Sequence, residues 1–233
     1  MTKKLLFSLG LLLVSCVFAY AQKGRVYVAD NFDGIKFALP VELNISIGSK
    51  FEVKAVGAAE DIDWIVVEKN GSSLNIKSKS KHGHHRFDRG TKVYVTLPRL
   101  EELSLAGSGD IYVKGDVKGG ALQVNVAGSG DIAVEKVSVD IFGVNVSGSG
   151  NVKITDRSSA NRAEYKIAGS GSVSSRNVMA KSVVVNVAGS GDINAYASEN
   201  LSVKIAGSGN VECFGNPKNV EKVKFGSGSI SIK

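Results

Sequence analysis

Cysteine and proline are scarce in this sequence of 233 residues, which contains two cysteines and three prolines. Cys16 lies in an N-terminal segment with the character of a removable leader, so Cys213 would be the single cysteine of the mature chain. A single cysteine excludes an internal disulfide. Beyond the leader, no apolar run approaches the roughly 20 residues of a membrane helix. Stability therefore has to come from packing and from backbone hydrogen bonds.

The first 21 residues have the organisation of an export signal. A basic start precedes an apolar run, and Ala19-Tyr20-Ala21 is a small-x-small cleavage site. The stretch Leu13-Val14-Ser15-Cys16 is also similar to a bacterial lipobox, which would instead make Cys16 a lipidated N-terminus. Because the apolar run continues past Cys16, cleavage after Ala21 is the favoured prediction. We expect an exported protein of the periplasm or cell surface, and residues 1–21 are set aside from the fold.

Glycine, in contrast, is abundant and follows a repeat. The motif Gly-Ser-Gly followed by Asp, Asn or Ser occurs seven times, at intervals of 18 to 21 residues. Its glycines, the predicted structural turns, are Gly107, Gly109, Gly128, Gly130, Gly148, Gly150, Gly169, Gly171, Gly189, Gly191, Gly207, Gly209, Gly226 and Gly228. Self-similarity at such a period is typical of a solenoid, in which each repeat buries its apolar face against its neighbours.

Apolar and polar residues alternate on both sides of each motif. With the first Gly of the motif as position zero, positions −4 and −2 are apolar in the first six copies, and position −3 between them is always polar. Positions +4 and +6 after the motif are mostly β-branched. Such alternation predicts strands with one buried face. The sequence thus predicts an all-β fold, a right-handed single-stranded β-helix with coils of about 20 residues.

The motif glycines are expected at corners between strands, where the required φ angle would strain a residue with a Cβ. Position −1 is Ala or Ser in the first six copies, which suits a corner with little room. In the last copy Val223-Lys224-Phe225 abuts Gly226. This departure predicts a turn that is one residue short, as in a terminal cap.

Residues 22–100 have a less regular β pattern. Alternating apolar residues predict strands between Asn31 and Ile47, and Asn70-Gly71 predicts a tight hairpin turn. Residues 101–233 form the regular array. We expect these irregular N-terminal β coils and hairpins to form one continuous structural domain with the array.

The repeated Ala-Gly-Ser-Gly-Asp/Asn after Val-x-Val resembles a bacterial family, as do Phe32-Asp33-Gly34-Ile35 and Thr96-Leu97-Pro98-x-Leu100. The family is called putative auto-transporter adhesin, head GIN domain, and the resemblance covers about residues 28–233. It implies an exported β-helical protein of Bacteroidetes type. The resemblance implies no catalytic residues that could be assigned to positions of this sequence.

The side chains at position +3 of the motif are the first candidate site. Asp110 and Asp131 lie on adjacent coils, which would place their carboxylates about 5 Å apart, the separation used by retaining glycosidases. The column interchanges Asp, Asn and Ser, however, and these residues share the ability to hydrogen-bond turn backbone. The array also lacks the nine-residue period of calcium-binding β-rolls. No catalytic residue, metal or cofactor is therefore predicted, and Cys213 in the inward +6 column is expected to be buried and inert.

A basic loop is the second candidate site. Seven basic residues lie between Lys77 and Arg99 against the single acid Asp88, and all three histidines lie there too. The predicted binding residues are Lys79, Lys81, His82, His84, His85, Arg86 and Arg89. Such a patch attracts an acidic envelope glycan or lipid headgroups, whereas nucleic acid is not expected for an exported protein. A transition metal on His84 and Asp88, and a solvated loop that binds nothing, are the alternatives.

These features predict a non-enzymatic exported envelope protein, an adhesin or a binding or structural module. The alternative is a carbohydrate-active β-helix enzyme, a polysaccharide lyase or hydrolase. Clefts of such enzymes carry clustered Asp, Arg and Lys with aromatic platforms, whereas the outward +5 column is mixed and mostly small. A homo-oligomer is a further alternative, because the ends of a β-helix expose strand edges that can pair.

Overall fold

The computed structural model describes residues 23–79 and 85–233. The predicted export signal and its cleavage site lie outside these ranges. The N-terminal strands are β1 (Lys23–Tyr27), β2 (Gly34–Ala38), β3 (Glu42–Ile47), β4 (Glu52–Gly57), β5 (Ile65–Asn70), β6 (Ser73–Ser78) and β7 (Lys92–Leu97). The strands of the repeats are β8 (Glu102–Gly107), β9 (Asp110–Gly128), β10 (Ile132–Gly148), β11 (Asn151–Ile154), β12 (Ser158–Gly169), β13 (Ser172–Ser174), β14 (Val178–Gly189), β15 (Asp192–Gly207), β16 (Asn210–Phe214), β17 (Asn219–Phe225) and β18 (Ser229–Ile232).

The Gly-Ser-Gly motifs stack in one column. Parallel pairing places Gly107 opposite Gly128, and the same register continues coil by coil to Gly207. The seventh motif follows, since the backbone N–H of Gly228 donates to the carbonyl of Gly207 at 3.2 Å. The chain is thus a nearly all-β solenoid of about seven turns, and the predicted fold class is confirmed.

The four predicted columns line the interior of the solenoid. In the first six coils, every residue at positions −4, −2, +4 and +6 is at most 3% exposed. Val144 and Val146 are typical, with Asn145 between them facing outward and half-buried. Because the side-chain period of a strand is two, the alternation in the sequence decides which face is buried.

The last coil differs from its prediction. β17 keeps the register of β15, with Val203 opposite Lys222 and Ile205 opposite Lys224, so no residue is missing from the turn. The two lysines take the apolar columns at the open end, and Phe225 takes position −1 with 72% of its surface exposed. Charges at inward positions of an edge strand hinder pairing with another chain. The predicted short turn is wrong, and the last coil differs from the others in composition instead.

The two glycines of each motif are required for different reasons. The first has φ between +108° and +136° in all copies, the region that favours glycine. The second, such as Gly150, has no such φ, but a Cβ there would overlap the carbonyl oxygen of Gly130 in the coil below. Close stacking of backbones thus selects the second glycine, whereas the first is selected by its φ and, in every copy after Gly107, also by the carbonyl of the coil below.

The N-terminal strands stack in an order that differs from their order in the chain. β2 lies between β6 and β8, and β3 lies between β7 and β9. The hairpin of β5 and β6 is present as predicted, with Gly71 at φ +60° in its turn. The short helix α1 (Ala59–Trp64), which leads into β5, was not predicted. Residues 23–79 and 85–233 contain no helix with the length and apolar character of a membrane span.

Cys213 should be unreactive in the folded protein. It is fully buried in the +6 column, and burial raises the pKa of its thiol, so little thiolate is accessible at neutral pH. We expect a bulky thiol reagent to leave native Cys213 unmodified and to label it completely in guanidinium. Mass spectrometry of timed samples measures this directly. Rapid labelling of the native protein would contradict the assigned register.

Candidate functional site

The side chains at position +3 link successive coils. The backbone N–H of Asp131 donates to Asp110 Oδ1 at 3.1 Å. Asn151 donates to Asp131 Oδ1 twice, from its backbone N–H at 2.8 Å and from its side-chain amide at 2.9 Å. Asp192 accepts the same pair of bonds from Asn210. These carboxylates are therefore engaged in turn hydrogen bonds, the bonding expected of this column.

Asp61 of α1 anchors the base of the basic loop. It is 3% exposed, and one of its carboxylate oxygens accepts from the backbone N–H of Asp88 at 2.9 Å and from the Thr91 hydroxyl. The other oxygen lies 2.6 Å from Nε2 of His85. Burial acts to raise the pKa of Asp61, but these hydrogen bonds outweigh burial and lower the pKa below its usual value. The carboxylate therefore stays ionised and holds the C-terminal side of the loop to the helix.

His85 is packed at this base. Its ring stacks on Trp64 at a centroid distance of 5.0 Å, and Phe87 meets it edge-on at 4.8 Å. The His85 side chain is 14% exposed, so this predicted binding residue faces the protein and not the solvent. Lys81, His82 and His84 lie outside the described residues, so of the metal site considered for His84 and Asp88 only Asp88 is described. Among the described residues no group of three or more His, Cys, Asp or Glu could hold a metal.

Fewer cations are available on the loop than the sequence indicates. Three of the seven basic residues form ion pairs at N–O distances from 2.7 to 3.3 Å: Lys77 with Glu68, Lys92 with Glu42, and Arg99 with Asp33 and Glu101. Lys79, Arg86 and Arg89 are exposed and form no ion pair with a described residue. Arg86 and Arg89 line an open hollow of about 390 Å³ that Glu60 and Asp88 also border. The candidate site thus consists of three exposed cations on an anchored loop, with the carboxylates of Glu60 and Asp88 beside two of them.

A longer groove of about 650 Å³ runs along the repeats on the face of positions −4 to −1. Its floor is the −1 column, which is exposed and mostly small: Ser147, Ala168, Ala188 and Ala206. Phe225 takes the same position at the end of the groove and is exposed, so a crowded corner does not explain these small residues. The polar side chains of position −3 that line this groove lie on successive coils, and its described lining contains no His, Cys, Asp or Glu.

The sequence profile of the family described as "Putative auto-transporter adhesin, head GIN domain" matches residues 31–217. The chain belongs to this family. The resemblance stated from the repeats and the N-terminal strand is therefore confirmed. None of the proteins with curated descriptions matches the chain.

Solved structures share the solenoid over 91% of this chain. The crystal structure of a putative adhesin from Bacteroides fragilis has a TM-score of 0.84 at 22% identity, over 97% of that chain. The crystal structure of a putative lipid binding protein from Parabacteroides distasonis has a TM-score of 0.71 at 25% identity, over 96% of that chain. The crystal structure of a putative adhesin from Parabacteroides merdae has a TM-score of 0.71 at 18% identity, over 96% of that chain. The likeness shows a shared fold.

Proposed function

We propose that the protein is a non-enzymatic binding module of the cell envelope that contacts an acidic polymer through the basic loop. The observation that carries this proposal is the exposed set Lys79, Arg86 and Arg89, which forms no ion pair with a described residue and lies beside a base held by Asp61. A surface whose base is already held in place loses less conformational entropy when it binds. The adhesin family and the predicted export signal support a place at the envelope.

The anionic groups that suit this loop are the carboxylates of an acidic polysaccharide or the phosphates of lipid headgroups. A lipid-binding description of one similar structure supports the second source. Attraction between exposed charges is screened over about 8 Å at physiological ionic strength. Binding through the loop should therefore weaken steeply as salt is raised.

The test is cosedimentation with alginate and with phosphatidylglycerol vesicles at low and high salt. We expect the double variant Arg86→Ser/Arg89→Ser to lose about tenfold or more in affinity at low salt, since it removes two of the three exposed cations that form no ion pair within the described part of the loop. A matched control is Arg157→Ser/Lys181→Ser, which removes two exposed charges from the repeats and should bind as the wild type does. An affinity that changes neither with salt concentration nor in the Arg86→Ser/Arg89→Ser variant would overturn the proposal.

The enzyme alternative is tested in the same samples. Polysaccharide cleavage produces new reducing ends. Because the proposed module does not cleave its ligand, the concentration of reducing ends should stay constant during incubation with alginate. A steady increase that depends on protein concentration would assign the protein to the polysaccharide lyases or hydrolases.

A further inference from the structure

The groove on the face of positions −4 to −1 joins an apolar floor to an exposed aromatic side chain. Ala168, Ala188 and Ala206 form most of the floor, and Phe225 follows them in the same −1 column. Phe225 is 72% exposed although its strand pairs with β15. An exposed aromatic side chain that continues an apolar groove is typical of an interaction site. We name this surface the apolar groove.

The strands beneath the apolar groove offer no backbone partner to a ligand. Parallel pairing joins four of them in register, from Val146 across to Ile205. An extended peptide therefore cannot add a strand here, and its own backbone groups would lie unpaired on an apolar floor. A polysaccharide also finds few partners, because the uncharged polar side chains of the described lining are Asn145, Ser147 and Asn186. A saturated acyl chain carries no hydrogen-bonding groups and has neither cost.

One cation of the described lining is available to an anionic head group. The lining contains two lysines and no acid. Lys166 is held by Glu164 at 2.7 Å. Lys204 is exposed, forms no ion pair with a described residue, and lies between Asn186 and Val223 in the −3 column. Lys204 therefore suits a single carboxylate at the edge of the groove.

The acids that flank the apolar groove do not outnumber its cations. Over positions −5 to +3 of the five coils that it crosses, four lysines lie against three acids, which are Glu164, Glu221 and Asp192. Glu164 is paired with Lys166. Glu221 accepts from the hydroxyl of Ser202 at 2.9 Å. Asp192 lies beyond the turn and accepts two bonds from Asn210. The charge of this face thus favours an anion.

The length of the apolar groove matches an acyl chain. Lys204 and Asn145 lie three coils apart, which is roughly 14 Å at a strand spacing of about 4.8 Å. An acyl chain of a membrane lipid extends about 15 Å, half of the roughly 30 Å hydrocarbon core of a bilayer. A chain whose head lies at Lys204 therefore reaches the far end of the groove. Phe225 lies beside Ala206 at the head end, where its ring can cover the first methylenes.

We infer that the apolar groove binds one long-chain fatty acid, with its carboxylate at Lys204 and its chain along the −1 column toward Ser147. This inference goes beyond the proposed function, because the ligand and the face both differ from those of the basic loop. A second copy of the chain is a poorer occupant. Two such grooves packed together would bring four lysines and no acid of the two linings into one interface.

Calorimetric titration with palmitate below its micelle concentration tests the apolar groove. Ala188→Glu places a carboxylate on the floor and should weaken binding about tenfold or more, through its volume and its charge. Ala106→Glu is the matched control, since it makes the same change in the same exposed column two coils beyond the groove and should bind as the wild type does. Circular dichroism establishes that each variant is folded.

Two further measurements test the head and the chain separately. Lys204→Ser should weaken palmitate binding about fivefold or more, because it removes the partner of the carboxylate. Octanoate should bind the wild type at least about tenfold more weakly than palmitate, because fewer methylenes are buried. Equal affinity of the wild type for octanoate and palmitate would contradict a chain that lies along the groove.

The remaining outcomes separate the apolar groove from other occupants and from the loop. Absence of palmitate binding, or equal affinities of the wild type, Ala188→Glu and Lys204→Ser, would overturn the inference. Phosphatidylglycerol vesicles that bind the wild type but not Ala188→Glu, without binding of palmitate, would assign this face to a membrane surface instead. Arg86→Ser/Arg89→Ser should bind palmitate as the wild type does, so failure of the loop proposal leaves this result unchanged.

Discussion

Replacing Gly148 by alanine should destabilise the protein by about 3 kcal/mol or more. Gly148 has φ +124°, which strains any residue with a Cβ. The added Cβ would also overlap the carbonyl oxygen of Gly128 in the coil below. Because backbone carbonyls of the stacked coils cannot move independently, both costs apply together.

The first coil provides a matched control for this substitution. Gly107 has φ +108°, but a Cβ there would meet no atom within 4 Å. Gly107→Ala should therefore cost only the conformational strain, about 1 to 2 kcal/mol. Exposed Lys153→Ser should cost less than about 0.5 kcal/mol. The urea concentrations at the midpoint of unfolding compare the Gly148→Ala, Gly107→Ala and Lys153→Ser variants. Equal midpoints for Gly107→Ala and Gly148→Ala would show that coil stacking does not select glycine.

Tyr165→Ala should cost about 3 to 5 kcal/mol, the range for removing a large buried aromatic side chain. Tyr165 is fully buried in the −4 column, where the other residues of the first six coils are Leu or Val, and meets Phe142 edge-on at a centroid distance of 6.1 Å. The polar Ser175 lies in the facing +6 column and is also fully buried, its hydroxyl donating to the carbonyl of Asn194 at 2.9 Å. The small side chain of Ser175 leaves space that the phenol ring fills.

The Tyr165 hydroxyl is buried near Ser175 and has no hydrogen-bond partner with acceptable geometry among residues 23–79 and 85–233. Tyr165→Phe should therefore change the free energy of unfolding by less than about 1 kcal/mol or stabilise the protein, since no hydrogen bond is lost. Urea unfolding of the wild type and the Ala and Phe variants measures both effects. A Phe variant as unstable as the Ala variant would mean that the hydroxyl has a partner.

The same residue should make stability depend on alkaline pH. Burial raises the pKa of Tyr165 far above the ordinary value of 10.0. Above about pH 10 the unfolded chain loses this proton and the folded chain keeps it, so stability present below pH 10 falls as pH rises. The Tyr165→Phe variant has no phenol to ionise at this position and therefore does not show this decrease in stability. The difference in unfolding free energy between wild type and Tyr165→Phe should thus shift with pH only above about pH 10.

The candidate sites could be predicted only in part. The cluster of basic residues is visible in the sequence, but the ion pairs of Lys77 and Lys92 join residues on different strands, and Arg99 pairs with Asp33, which lies 66 residues earlier. The inward position of His85 depends on Asp61, which lies 24 residues earlier on a helix that no sequence period indicated.

The sequence by itself determined the repeats, their turns and their buried faces. These properties are local, since alternation at period two decides the face of each strand and the spacing of glycines decides where each coil turns. The position of β2 and β3 between later strands and that of the lysines at the open end were decided by tertiary structure alone. The physical reason is that a strand's pattern describes which side it buries and not which strand it pairs with, so neighbours across coils follow only from the register of the folded chain.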